Sequence, residues 1–167
     1  MSALCRIAVN LAGILEAAVD IGTVQHKVDY GATYNLADGT GADQIKEIFA
    51  DTRTLAASAT ENLDLAGVLV DAVGTTITFS KVKAILVKAS ASNTNDVMVG
   101  GHASAACFTM FNAATDKLRI KPGGMALLVA PDANGFAVTA TTADMLTVGN
   151  SSSGTGVTYD IVIMGTV

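Results

Sequence analysis

Residues Lys117–Pro131, KLRIKPGGMALLVAP, decide the fold class. Leu118 and Ile120 alternate with Lys117, Arg119 and Lys121, the period of two that places apolar side chains on one face of a strand and charges on the other. Pro122 fixes one φ and Gly123 and Gly124 free the next two, so a turn follows. Met125–Ala130 is then a short apolar run, read as a buried strand closed by Pro131 and Asp132. Asn134 and Gly135 supply the next turn signal.

The same pattern extends outward in both directions. Upstream, Thr52–Ala56 and Asn62–Leu65 flank the polar turn Ser58–Glu61 and read as a first antiparallel pair. Thr75–Ala89 carries Ile77, Phe79, Val82, Ile85 and Val87 at mostly alternating positions, with a kink near Ser80 correcting a one-residue change of phase. Val97–Val99 and Cys107–Phe111 add short strands. Downstream follow Phe136–Thr139, Met145–Val148 and Val157–Ile163, the last two separated by a hydroxyl- and glycine-rich loop, Asn150–Gly156, expected to be mobile and solvated. About eight to ten strands at this spacing are enough for two packed sheets. The expected class is all-β, a jelly-roll-like β-sandwich over residues 45–167 preceded by an N-terminal arm and linker over residues 1–44.

The arm is read less sharply. Leu11, Ile14, Leu15, Ala18 and Ile21 recur at near-helical spacing, while Gly13 and the following β-branched residues leave a helix and an extended arm both open. Asp29–Gly41 reads as a loop-rich linker, and Ala42–Phe49 as one helical turn or a short strand. If the sandwich fills its own core, Leu11, Ile14, Leu15, Val19, Ile21 and Val24 need another apolar surface, and burying each is worth about 1.5–3 kcal/mol. A neighbouring subunit or a docking partner supplies it, which makes these six the candidate interface residues and a symmetric homo-oligomer the expected state.

Composition narrows the function classes. Half of the residues are apolar and 15% are charged, which excludes a disordered chain. A formal net charge of -5 argues against a nucleic-acid surface, which needs clustered Lys and Arg. The mean hydropathy of +0.47 comes without the run of about 20 apolar residues that a membrane span requires. Arg6 followed by Ile7–Leu15 looks superficially like a secretory leader, but Asn10, Gly13 and Glu16 interrupt it. Cys5 and Cys107 read as two small hydrophobes, with a disulfide between them left open by the sequence.

Catalytic signals are sparse. His26 and His102 are the two histidines, and no GxSxG elbow accompanies the Ser104 that lies near His102. Gly39–Asp43, GTGAD, lacks the lysine of a phosphate loop, and Pro131–Gly135, PDANG, lacks the further acids of an EF-hand. Asp51 and Arg53 fit a surface ion pair. The expectation is a non-enzyme with no cofactor and no metal site.

Asp51–Gly67, DTRTLAASATENLDLAG, taken with VGG at Val99–Gly101, KPGG at Lys121–Gly124, APD at Ala130–Asp132 and VTYDIVI at Val157–Ile163, resembles small proteins encoded among the head genes of tailed phages and prophages, the head decoration or minor capsid proteins. The resemblance implies a protein made in the host cytoplasm that sits on the outer surface of the head. There it binds the major capsid protein and locks neighbouring capsomers together, often as a homotrimer, with no nucleic-acid or membrane partner. Its motifs are strand and turn residues, so no contact residue is carried over. A tail-tube, head-completion or fibre-base protein is the first alternative. A carbohydrate-binding sandwich is the second, disfavoured by the lack of Trp and by having three Tyr in all.

Overall fold

The computed structural model describes residues 2–107 and 109–167. Among them there is no helix, and twelve strands run β1 (Cys5–Ala18), β2 (Thr23–Asp38), β3 (Gln44–Ile45), β4 (Glu47–Leu55), β5 (Thr60–Asp64), β6 (Lys81–Ala89), β7 (Val97–Val99), β8 (Leu118–Ile120), β9 (Met125–Val129), β10 (Phe136–Ala137), β11 (Met145–Asn150) and β12 (Val157–Thr166). The chain is all-β, and two of its sheets pack face to face as a sandwich-like body. One has the order β4-β12-β6, with β9 and β10 sharing the far edge of β6; the other is β5-β11-β7-β8.

From β4 to β12 the chain pairs in a nested way. The first strand of this stretch pairs with the last, β4 with β12. Inside that pair β5 joins β11, then β6 joins β9 and β10, and at the centre β7 joins β8. Two seams, β12 with β6 and β11 with β7, close the sheets. All of these ladders are antiparallel. Each strand places alternate side chains between the sheets, where Leu63, Leu146, Val148, Val97 and Ile120 meet Ile85, Val87, Tyr159, Ile161 and Ile163.

The sheet containing β12 is buried on its outer face as well. Val162 and Met164, together with Ala84, Leu127 and Val129, meet Ala3, Cys5, Ile7, Tyr34, Leu36 and Ile45 from the N-terminal region. A strand covered on both faces reads as a near-continuous apolar run. That explains Val157–Met164, in which six of eight residues are apolar and five are buried.

Several local expectations are corrected. Thr52–Ala56 and Asn62–Leu65 do not pair with each other: β4 and β5 lie in opposite sheets. The turn between them is held from outside, by Ser58 N–H donating to Ser152 O (2.9 Å) and Asn150 Nδ2 donating to Ala56 O (3.0 Å). The Asn150–Gly156 loop is exposed over residues 151–156, yet it is tied down. Asn95 Nδ2 donates to Asn150 Oδ1 (2.9 Å), Ser152 O (3.0 Å) and Thr155 O (3.0 Å).

The phase change expected at Ser80 lies at Lys83, the extra residue where the register shifts between Met164↔Ala84 and Gly165↔Val82. Residues 77–79 are not in a named strand, although Ile77 and Phe79 are buried and their amides bond Leu69 O and Leu65 O. In Cys107–Phe111, Phe108 lies outside the described residues and Thr109 and Met110 form a turn in place of a strand. Ile120 is buried as read, while Leu118 on the same face sits at the rim, 37% exposed. Met125–Ala130, read as a buried strand, is only half-covered, with Met125 exposed.

The N-terminus settles one open reading and corrects another. Of the helix and the extended arm that the sequence leaves open for Leu11–Ile21, the extended form is found, and Asp29–Gly41 is not a linker through most of its length. β1 and β2 form one hairpin of fourteen cross-strand pairs, from Cys5↔Leu36 at the root to Ala18↔Thr23 at the tip. Ala42–Phe49 supplies the short strand β3, parallel to the end of β2, and the start of β4.

Candidate functional surface

Cross-strand partners in an antiparallel ladder share a face, so the register of the hairpin sorts its residues into two. One face carries Ile7 and Tyr34, Val9 and Ala32, Leu11 and Tyr30, Gly13 and Val28, Leu15 and His26, and Ala17 and Val24. The other carries Arg6 and Asn35, Ala8 and Thr33, Asn10 and Gly31, Ala12 and Asp29, Ile14 and Lys27, and Glu16 and Gln25. The hairpin is therefore amphipathic, with His26 the single strongly polar side chain on its apolar face.

The body covers only the root of that face. Ile7 and Leu36 are buried and Tyr34, Val9 and Ala32 half-buried, whereas every residue from Asn10 to Gly31 is exposed. Leu11 (61%), Leu15 (73%), Val24 (58%), Val28 (50%) and Tyr30 (57%) form an open apolar stripe, and Ile21 at the tip is 95% exposed. Apolar side chains scattered singly over a surface need no explanation; these are contiguous along one face, which makes the stripe the candidate interaction surface.

The six candidate interface residues all lie on this hairpin, but not on one face of it. Leu11, Leu15 and Val24 share the apolar stripe, and Val19 and Ile21 belong to the tip, where Gly22 at φ 96° lets the chain turn and Val19 N–H bonds Gly22 O (3.2 Å). Ile14 points to the polar face, opposite Lys27. Val28 and Tyr30 belong to the stripe and were missed. Their signal was the strict alternation Val28, Tyr30, Ala32, Tyr34, Leu36, which His26 separates from Val24.

The root is fastened to the body by two charged groups. Asp38 accepts from Ala3 N (3.0 Å) and from Lys46 Nζ (2.9 Å), and these donors hold its carboxyl below the usual carboxylate range. Lys83, fully buried at the β6 bulge, donates from Nζ to Gly41 O (3.1 Å) and to Asp132 O. It thus joins the turn after β2 to the turn after β9. A second link, Asp43 N–H to Pro131 O (2.7 Å), runs beside it. Burial pushes the Lys83 ammonium below its ordinary value, partly offset by the Asp132 and Asp43 charges.

The other polar clusters resolve into structural contacts. His102 Nδ1 accepts from Ala105 N (3.0 Å) and closes its own loop, and Asp132 Oδ1 accepts from Asn134 N (2.7 Å) and Gly135 N (3.1 Å) as an Asx turn. Arg53 bridges Asp51 and Glu61 at 2.7 Å each, and Glu61 also accepts from the buried Tyr159 hydroxyl (2.6 Å). Asp96 accepts from Arg119 and Lys121 at 3.0 Å each, which holds its carboxyl down. Cys107 is buried, and burial pushes its thiol up to about 11; Cys5 packs at the hairpin root. Among the described residues no three His, Cys, Asp or Glu gather in a group that could hold a metal ion, and no helix is long and apolar enough to cross a membrane.

Comparison of the chain with protein-family models, with curated proteins and with solved structures finds no match.

Proposed function

We propose that this protein is a structural virion component that decorates and stabilises the outside of a tailed-phage capsid as a homotrimer, not an enzyme. The observation that carries the reading is the open amphipathic hairpin, whose apolar stripe, interrupted only by His26, runs from the buried root at Ile7 and Leu36 to an exposed tip. A body with a filled core and a long unpaired ribbon is built for association. A two-stranded ribbon standing alone in water is marginal at best, so its apolar face calls for a partner.

Two further features support the reading. We read the nested pairing of β4 through β12 with its two seams as favouring a jelly-roll arrangement, an architecture shared by viral capsid domains, lectins and cupins. That is support by fold analogy, and it fits the resemblance of Asp51–Gly67 and the later motifs to phage head proteins. The net charge of -5 suits a position outside the shell, since packaged phosphates would repel it.

The test uses the purified chain and capsids lacking it. Added protein should bind at many sites across the head, visible by imaging, and should raise the temperature at which the capsids rupture. A hairpin shortened by replacing residues 10–31 with Asn-Gly keeps the root over Met164 and should lose binding. Deletion of the whole of residues 1–44 would be a poorer probe, because it uncovers Val162, Met164 and Leu127. Binding confined to a single vertex or to the tail would replace this reading with that of a head-completion or tail protein.

A further inference from the structure

Besides its apolar face, the hairpin has an open backbone edge. β1 pairs with β2 on one side, and among the described residues no strand meets its other side. Val19 N–H bonds Gly22 O across the tip (3.2 Å), which fixes the phase of the ladder: the odd-numbered residues of β1 exchange backbone bonds with β2. The even-numbered residues from Arg6 to Glu16 therefore turn their N–H and C=O groups to the free edge, and all of them are exposed.

An open edge is a template for another strand, and proteins ordinarily blunt it with charge, proline or a bulge. Over Ile7–Leu15, nine residues, β1 has no charge and no proline, and the ladder behind it is unbroken. The outer edge of β2 differs. Lys27 and Asp29 stand in its middle, and β3 closes its end at Ala37 and Asp38.

The two charges of β1, Arg6 and Glu16, bracket the open stretch and select the occupant. In a two-fold contact residue i meets j and j meets i. Pairing β1 antiparallel with β1 of a second copy, centred on Leu11, sets Arg6 opposite Glu16 at both ends, Ala8 opposite Ile14 and Asn10 opposite Ala12. All six positions already direct their backbone groups at that edge. On the apolar face the same register sets Ile7 opposite Leu15 and Leu11 opposite its own copy. Arg6 has no hydrogen-bond or ion-pair partner among the described residues, and Glu16 accepts from Gln25 through Oε1 alone, which leaves Oε2 for the arginine. A register moved by two residues either way separates both charge pairs.

The joint draws on backbone pairing and does not require the stripe to be covered. About six narrow pairs supply on the order of twelve interchain backbone hydrogen bonds, the source of affinity wherever a strand is added to a sheet edge. It also relieves the weakness of the ribbon: two strands alone are marginal in water, and the joined hairpins make four.

We infer that the free edge of β1 pairs antiparallel with β1 of a second copy about a two-fold axis at Leu11, held in register by reciprocal Arg6–Glu16 pairs. A two-fold joint cannot close a threefold ring, so it is additional to any contact within a trimer and ties one assembly to the next. It is a property of the chain in solution and does not rest on the virion reading.

Full-length proteins test it by sedimentation over a range of concentrations and by cross-linking. Arg6→Glu and Glu16→Arg each set like charges opposite one another at both ends and should weaken self-association about tenfold; the double variant restores opposite charges and should recover it. Ala12→Pro removes an N–H that points to the free edge and takes no part in the ladder with β2, so circular dichroism should match the native chain while pairing is lost. In a Cys5→Ser background Leu11→Cys should form a disulfide-linked pair under mild oxidation, because position 11 meets itself across a wide pair with Cα atoms about 4.5 Å apart. Val9→Cys should not link to itself but should link to Gly13→Cys when the two are mixed. A native chain that stays monomeric when concentrated overturns the inference and leaves the edge to a strand of another protein. So do single reversals that associate like the native chain, a double reversal that does not recover, or Leu11→Cys chains that do not cross-link. Pairing that behaves as expected in a protein that fails to decorate capsids would leave the joint standing and remove the virion role.

Discussion

Strands β12 and β2 carry the same kind of sequence and live in different surroundings. In β12, Val157, Tyr159, Ile161 and Ile163 are all buried between the sheets. In β2, Val28, Tyr30, Ala32, Tyr34 and Leu36 alternate as regularly, but burial begins only at Ala32 and is complete only at Leu36. Alternation specifies which side chains share a face. It does not specify that anything covers the face. In β12 the cover is the opposite sheet on one side and the hairpin root on the other. Over the outer hairpin the strands are held by backbone pairing and by the Gln25–Glu16 side-chain hydrogen bond, and the apolar stripe stays exposed.

The comparison can be broken most severely in the body. Leu146→Ala or Ile161→Ala removes a fully buried side chain from the sandwich core and should cost about 2–5 kcal/mol, read as a lower denaturant midpoint. If either variant unfolds like the native chain, the core is not packed as described.

The junction between the two regions should show the next largest effect. Lys83→Ala deprives the carbonyls of Gly41 and Asp132 of their donor and should cost about 1–3 kcal/mol. Hydrogen exchange should quicken at Asp43, whose amide bonds Pro131 O, before it quickens in β12. Equal acceleration everywhere would mean that the lysine supports the body and not the hairpin root.

Acid should act on the same junction. Asp38 has its carboxyl held below the ordinary value by the Ala3 amide and Lys46, and Asp96 by Lys121 and Arg119. As pH falls through the ordinary carboxylate range the unfolded chain takes up protons first. The contribution to stability is therefore complete above that range and is lost as pH drops towards the depressed folded values. The melting temperature should be flat near neutrality and fall in acid, and Asp38→Asn should reduce the acid dependence. A melting temperature that rises in acid would contradict the assigned donors.

The smallest effect belongs to the outer arm. Leu15→Ser should change the unfolding free energy of the isolated chain by no more than about 0.5 kcal/mol, because an exposed side chain gives up no packing. A loss as large as that of Leu146→Ala would show that Leu15 is covered within its own chain.

How far the sequence was legible differs between the same two regions. In the body, Lys117–Ala130 read correctly as strand, turn and strand because Pro122 and the paired glycines separate two short runs, but the second strand, expected to be buried, is only half-covered, with Met125 63% exposed. The hairpin was misread because its polar face is made of residues that also make turns. Asp29, Gly31 and Asn35 alternate with Tyr30, Ala32 and Tyr34, and local composition does not distinguish the polar face of a ribbon from a linker. Ile14 beside Leu15 added a false helical period, since the two adjacent apolar residues fall on opposite faces of a strand.

The sequence by itself determined the all-β class, most of the strand positions in the body, and the presence of apolar residues in the first 44 that the body does not need. Those properties are local: they follow from the period of side-chain alternation and from the backbone freedom of Pro and Gly. Only the tertiary structure decided which strands pair, because β4 meets β12 and β5 meets β11 across separations that no local pattern encodes. It also decided that Lys83 is a buried link instead of a surface charge, and that Leu15 stays in water while Ile7, eight residues earlier on the same face, does not. The physical reason is that burial depends on whether another element lies above a side chain, which is settled by how the sheets stack and not by the chain within reach of that residue.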